Sequence, residues 1–374
     1  MLKALAEAGG KAIGGARFSL TSVLPGVVLV TIIAAVERAG LYRLDAPPDF
    51  SAIAPRSGDT AVVVLFVFFA FVVGVLLRPF EAAVIQLLEG YWARPAPLAL
   101  LRGAAVERHR RRRDRAQLVV QHAKAVEAAE RAASIASGNP PPRGSVPLHE
   151  LAARDRRSAR LRRSAERARR VRSGYPTEIR PDTPSTKRDR QGELMPTSLG
   201  NMLLRAERFS GDRYGLDMMR VYPRIYPFVA PRLENAVTQQ LSLISATASL
   251  AVSLGLTTLA ISPLLLRWDV WSLLPLAPAI LAVLAYRGAV AASAFHGTLL
   301  AAVFDVHRFD LLRAFHYKLP EAADELVGMN EAVSDYLARD KVRFEDELGD
   351  LPMVHPSTSE DVLQRTNGNG PAQP

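Results

Sequence analysis

The feature that most limits what this chain can fold into is a long arginine-rich stretch set between two pairs of apolar runs. Residues 102–190 hold 24 Lys and Arg against 10 Asp and Glu, a net +14, whereas the whole chain of 374 residues carries only +10. Arg110-Arg111-Arg112-Arg113 and the series Arg154, Arg156, Arg157, Arg160, Arg162, Arg163, Arg167, Arg169, Arg170 and Arg172 supply most of that charge. A stretch this basic does not enter hydrocarbon. It holds the middle of the chain on one side of a bilayer and so dictates how the rest is threaded.

The apolar runs are Leu20–Val36, Ala61–Leu77, Leu241–Leu266 and Trp271–Tyr286. A helix rises about 1.5 Å per residue, so roughly 17–20 apolar residues cross a hydrocarbon core of about 30 Å. The basic start before Leu20 also fits a cleaved signal peptide. The length of the run and the second run close behind it favour a retained helix. Ala61–Leu77 is rich in Val and Phe, which suits a buried strand, but it is too long for one. The expected fold class is therefore all-α: an integral membrane protein with four transmembrane helices in two hairpins and a helical cytoplasmic region. Only the middle connection is long and basic. With that connection in the cytoplasm, both termini lie there and both short loops lie outside, and the bacterial inner membrane is the expected location. Lys3, Lys11 and Arg17 against Glu7 point the same way.

The expected domains follow in order. Residues 1–18 are a cytoplasmic N-terminus and 19–78 the first transmembrane hairpin. Residues 79–101 form an amphipathic juxtamembrane helix: Phe80, Val84, Leu87, Leu88 and Tyr91 recur at helical spacing, Tyr91 and Trp92 suit the headgroup level, and Pro95 and Pro97 end it. Residues 102–195 are an arginine-rich helical hairpin and linker. Its first helix, 103–136, carries a weak apolar stripe of Leu118, Val119, His122, Val126, Ala129 and Ala133. A Gly/Pro breaker occupies Gly138–Gly144, and a second helix covers 147–172. Residues 196–238 are membrane-proximal helices, with Thr197 or Ser198 capping one and Asp217 the next, and with Pro223, Pro227 and Pro231 kinking the second. Its apolar residues, such as Met218, Val221, Ile225 and Phe228, lie on the membrane surface or pack into the protein's own core. The second hairpin is 239–287. Residues 288–350 are a cytoplasmic extension, one helix running on through Leu312 and a short one over 321–338 with Glu321 in its first turn. Residues 351–374 are a disordered tail. Over 319–374 there are 12 acidic and 4 basic residues, a net −8.

Chemistry-bearing motifs are scarce. There is no cysteine, hence no disulfide, thiolate metal site or cysteine nucleophile. No phosphate-binding glycine loop, nucleophile elbow or His-Glu-x-x-His pair occurs. Asp305, His307 and Asp310 could be imagined as ligands, but positions 305 and 307 point to different helical faces, which disfavours a metal site. Glu37, Arg38, Arg78, Arg267, Asp269 and Arg287 sit at the ends of the apolar runs, where snorkelling satisfies them. Catalytic, cofactor and metal residues are therefore expected to be absent, and an enzyme is disfavoured. Ser242, Ser245, Ser249, Ser253 and Thr257 share one helical face and form a candidate helix-packing stripe, which could also line a pore.

Four stretches, Leu87-Leu-Glu-Gly-Tyr-Trp92, Pro196-Thr-Ser-Leu-Gly-Asn201, Arg213-Tyr-Gly-Leu-Asp217 and Phe304-Asp-Val-His-Arg-Phe-Asp-Leu-Leu312, resemble segments of a group of bacterial multi-spanning membrane proteins with a basic cytoplasmic loop and no assigned activity. The resemblance covers most of the chain outside 103–190. It implies the four-span layout and carries no functional residue across.

The expected function is that of a non-enzymatic, oligomeric scaffold or partner-recruiting anchor acting through its cytoplasmic face. Its partners are the lipid bilayer, anionic lipid, and a second copy or another protein. Arg110, Arg111, Arg112, Arg113, Arg162, Arg163, Arg169 and Arg170 are the candidate contacts to an anionic surface, each adding about 1 kcal/mol near such a membrane. Pairing with the −8 C-terminal region is a further use of the same charge. Nucleic acid is disfavoured, because 102–174 lacks aromatic residues for base stacking. The alternative is a pore or small-solute permease.

Overall fold

A computed structural model describes residues 20–43, 46–53, 60–92, 96–136, 148–176 and 194–337. The N-terminal segment 1–18, the Gly138–Gly144 breaker, most of the linker and the 351–374 tail lie outside the described residues. Among the described residues every regular element is helical, so the all-α expectation holds. The chain divides into two compact units, residues 1–205 with 239–296 and residues 206–238 with 297–374.

In the first unit, α1 (Leu20–Arg38) and α2 (Thr60–Leu77) pack as an antiparallel pair. They touch most closely at two glycines: a Cβ on Gly26 would fall 2.7 Å from the Gly74 Cα. The Pro25-Gly26 break is thus a contact point, where the missing side chain lets two backbones meet. A bent step leads into α3 (Glu81–Glu89), which Gly90 ends in the left-handed conformation at φ 99°. Gly90, with no Cβ penalty there, is the terminator in place of Pro95 and Pro97. Pro97 instead lies in the first turn of α4 (Ala96–Ala136), where its missing N–H costs nothing. The hairpin partner of α4 is α5 (Leu148–Arg172).

Three further helices contribute to the first unit. α6 (Ser198–Gly211) begins there, and α8 (Pro231–Ile261) and α9 (Leu276–His307) pass through it. Thr197 caps α6: its Oγ1 accepts from Gly200 N at 3.0 Å and donates to the Glu89 carbonyl at 2.9 Å. Leu199, Ala248 and Ala289 form a small core against which Val84, Ile85 and Leu88 of α3 pack, while Phe80, Leu87 and Tyr91 of the expected amphipathic face stay exposed.

The ends of α1 and α8 meet in a second core of Val36, Ala39, Leu41, Ile261 and Leu264. Arg267 closes it. Only 6% exposed, it donates from Nη1 to the carbonyls of Leu41 (3.0 Å) and Arg43 (2.7 Å), from Nη2 to Ala46 O (3.2 Å), and from Nε to Asp269 (2.9 Å). Phe50 and Trp271 pack beside it with ring centroids 4.6 Å apart. Arg267 therefore does not snorkel. The turn after α1 leaves carbonyls without helical partners, and a buried guanidinium with its donors spread in a plane satisfies several at once.

Among the described residues, two helical segments are long and apolar enough to cross a membrane, Pro231–Leu266 (36 residues) and Val270–His307 (38 residues). A third candidate is Val64–Leu76 with Glu81–Glu89, bent by 62° at the break. Four full spans are therefore more than helix length and composition give. α1 and α2, at 19 and 18 residues, rise about 27–29 Å, just under a typical hydrocarbon thickness.

The second unit is built on α7 (Met218–Ile225), α10 (Asp310–Ala314) and α11 (Ala323–Tyr336). Leu216, Val221, Ile225, Phe304, Leu311, Leu312 and Val333 form its fully buried core. The Val221/Ile225 face of α7 is thereby spent on internal packing, while Met219 and Phe228 stay exposed. The helix expected to run unbroken to Leu312 stops at His307. The chain turns so that Leu311 and Leu312 point into the core, and His307 Nδ1 meets Asp310 at 2.8 Å across the turn. Asp217 occupies the N-cap position of α7, but its carboxylate pairs with Arg220 (3.5 Å) and makes no capping bond. Glu321 precedes α11 and faces Lys318 (3.7 Å), so it is not in the first turn.

The four stretches singled out in the sequence pair off within these units. Residues 87–92 meet 196–201 through the Thr197–Glu89 bond. Residues 213–217 meet 304–312 where Asp305 accepts from Arg213 and from the Tyr214 hydroxyl (2.7 Å). Both pairs are junctions that hold helices together.

Candidate anion-binding groove

Alanine and arginine are both strong helix formers, so α4 and α5 need little tertiary help to be helical. Their contact is made by small side chains, Ala116 and Val120 of α4 against Ala168 and Val171 of α5. The face differs from the expected stripe: Leu118 is 65% exposed and Val119 39%. Two alanine-rich helices approach more closely than leucine would allow, and the closest-packed face wins over the most apolar one.

The far end of α5 is tied back to α4. After Gly174 the chain buries Tyr175, whose hydroxyl lies 2.9 Å from His109 Nδ1 with the rings edge to face. Burial, and then the charges of Arg112 and Arg108, lower the His109 pKa, partly offset by its hydrogen bond to the Pro196 backbone. The imidazole is thus neutral near pH 7, with one nitrogen turned to Pro196 and the other accepting from Tyr175. Burial raises the Tyr175 pKa, keeping its proton for that bond.

With the interior so small, the arginines are left outside. Their ion pairs are local, Glu107 with Arg110 (3.4 Å) and Arg111 (2.8 Å), Asp114 with Arg113 (3.1 Å), and Glu166 with Arg169 (3.8 Å) and Arg170 (3.4 Å). Exposed pairs of this kind stabilise by about 0.3–0.5 kcal/mol each and leave most of the charge in solvent. Between the helices runs an open groove of about 700 Å³. Arg108, Arg111, Arg112, Arg115 and Arg167 rim it, Glu107 is the one carboxylate in its lining among the described residues, and Ala104, Ala116, Val119, Ala168 and Val171 floor it.

Of the expected anionic contacts, Arg111 and Arg112 line this groove, whereas Arg110, Arg162, Arg163 and Arg170 lie outside its lining, as do Arg113 and Arg169. Arg108, Arg115 and Arg167 complete the rim. Steps of three and four residues through 108, 111, 112 and 115 place one face of a helix under a continuous basic strip, a signal present in the sequence.

The hydroxyl stripe on α8 is split by the fold. Ser253 and Thr257 are buried, and Thr257 Oγ1 donates to the Ser253 carbonyl (2.8 Å) within its own helix. Ser245 donates to Glu81 on α3 (2.6 Å), Ser249 is half-buried, and Ser242 is exposed. Asp305 is engaged by Arg213 and Tyr214, and among the described residues no group of three or more His, Asp or Glu side chains is placed to hold a metal ion. No family model, curated protein or solved structure matches the chain.

Proposed function

We propose that this chain is a non-enzymatic, multi-pass membrane anchor that recruits an acidic protein segment to the arginine-rimmed groove of the α4/α5 hairpin. The observation that carries this reading is the groove itself: five guanidiniums face one carboxylate over an apolar floor. An amphipathic helix with acidic flanks and a small apolar ridge suits both features, its carboxylates pairing with the rim while the ridge covers alanine and valine. The acidic 319–374 region of a neighbouring copy is one source of such a segment, and it would make the anchor a homo-oligomeric scaffold. Only 33% and 17% of the two long apolar windows are buried within the chain, which leaves surface for lipid or a second copy.

The four-span, N-in and C-in threading in a bacterial inner membrane belongs to the same proposal. Arg267 supports it, because it joins the turn after α1 to the turn after α8 and so favours both loops on one side. Single cysteines introduced at Ser51, Ser164 and Ser357 report the threading, since only Ser51→Cys should react with an impermeant thiol reagent in intact cells.

The recruitment itself is measured on full-length protein in mild detergent with a labelled helical peptide carrying Glu on one face and Ala/Leu on the other. Saturable binding that weakens with added salt and is lost when Arg108, Arg111, Arg112 and Arg115 become Gln supports the reading. Equal binding by that variant removes it.

A further inference from the structure

The groove between α4 and α5 is more basic than its local ion pairs balance. Of its rim arginines, Arg111 pairs with Glu107 (2.8 Å), while Arg108, Arg112, Arg115 and Arg167 form no ion pair with another described residue. All of them are exposed. Along α4 the rim from Arg108 to Arg115 covers about 10 Å, and the whole lining from Ala104 to Val119 about 22 Å. The alanine and valine floor offers small side chains between which larger ones can seat.

One stretch of the chain matches this groove in charge, length and apolar pattern. From Phe344 to Leu351 the sequence reads Phe-Glu-Asp-Glu-Leu-Gly-Asp-Leu. Glu345, Asp346, Glu347 and Asp350 stand there with no Lys or Arg among them, the densest acidic run in the chain. Phe344, Leu348 and Leu351 recur at steps of four and three, which places them on one face of a helix. On such a helix Glu345 to Asp350 cover about 8 Å, close to the length of the arginine rim. The other acidic residues of the 319–374 region fit less well. Those of α11 belong to a helix whose Leu326 and Val333 are buried in the core of the second unit. Glu360 and Asp361 are a single pair, followed by Arg365.

We propose that residues 344–351 of a second copy of this chain occupy the groove at rest, so that an acidic partner is recruited only by displacing them. This occupancy rests on the recruitment reading above and gives it a regulator. The carboxylates meet the rim guanidiniums while Phe344, Leu348 and Leu351 cover the floor. The two long apolar helices leave surface for a second copy to stand beside the first, since only 33% and 17% of their windows are buried within the chain. Two copies that exchange these segments close a two-fold pair, each supplying one groove and one tail. A resident segment also sets a threshold for recruitment. A groove occupied about nine-tenths of the time binds a competing peptide about tenfold more weakly than an empty one. Saturating peptide still closes it further, because the resident segment leaves it open for the remaining time.

The test uses full-length protein in mild detergent. Photoreactive benzoylphenylalanine replaces Phe344 in one preparation, which is mixed with isotope-labelled protein of natural sequence before illumination. Cross-links should join the two preparations and run from position 344 to residues 104–119 and 167–171. They should vanish when Arg108, Arg111, Arg112 and Arg115 of the labelled copy become Gln. Binding of the acidic helical peptide is then compared between the natural protein and a triple variant, Glu345→Gln, Asp346→Asn and Glu347→Gln. The triple variant should bind the peptide about tenfold more tightly. Glu360→Gln with Asp361→Asn, outside the segment, should leave the affinity unchanged. Equal peptide binding by the natural protein and the triple variant, at a groove that the four-arginine variant disables, overturns the resident segment and leaves recruitment standing. No peptide binding by either removes both. Cross-links confined to single chains, cross-links that fall elsewhere, or an equal gain with Glu360→Gln and Asp361→Asn also overturn the resident segment.

Discussion

Arginine does two different jobs in this protein, and the contrast between Arg267 and the α4/α5 hairpin shows what separates them. Arg267 is a single buried guanidinium, with three backbone carbonyls and one carboxylate as partners. The hairpin carries many guanidiniums, nearly all exposed and held by partners one to four residues away. The first is committed to structure, because it is buried and its guanidinium nitrogens are all engaged by these protein partners. The second is committed to very little, which leaves its charge for a ligand. Charge count in the sequence and energetic weight in the fold therefore run in opposite directions.

The sharpest way to break the contrast is Arg267→Ala. It removes the buried donor shared by the Leu41, Arg43 and Ala46 carbonyls and Asp269 and should cost about 3–5 kcal/mol, read as a lowered Tm of the detergent-solubilised protein. Arg267→Lys should not restore it, since a single ammonium cannot reach carbonyls spread along a turn. Glycine gives a second comparison. Gly26→Val drives a side chain into Gly74 and should cost about 1–3 kcal/mol, whereas a Cβ on Gly103 of α4 meets nothing within 4 Å. Gly103→Ala should therefore stabilise by about 0.5–1 kcal/mol.

His109 sharpens the hairpin side through pH. Its folded pKa is lowered below the ordinary value of 6.5, so the unfolded chain takes up its proton first as pH falls. The associated stability is fully present above that ordinary value and is lost progressively below it. Melting temperature should thus decline on acidification below about pH 6.5, and His109→Gln should flatten that decline. The smallest effect belongs to the surface. Arg110→Gln, which removes an exposed pair with Glu107, should change stability by no more than about 0.5 kcal/mol.

What could be read from the sequence divides along the same line. The helices of the hairpin, the proline-punctuated α7 and the Thr197 cap follow from local propensity and spacing, and each is present in the fold. The basic strip through Arg108, Arg111, Arg112 and Arg115 was equally readable. The carbonyl partners of Arg267 lie 221 to 226 residues away along the chain, and no local pattern reports such a meeting. Tyr175 is similar: nothing around it in the sequence links it to His109. The expected stripe on α4 failed because close approach of small residues, set by the partner helix, outweighed hydrophobicity. The continuation of α9 to Leu312 failed because a core demanded Leu311 and Leu312 at once.

The central claim, that the groove between α4 and α5 is the recruiting face, is tested most directly by hydrogen–deuterium exchange of the full-length protein with and without saturating acidic helical peptide. The account predicts added protection concentrated in residues 104–119 and 167–171, reversed by high salt. Protection that falls elsewhere on the protein, or binding with no change in those two segments, would contradict it.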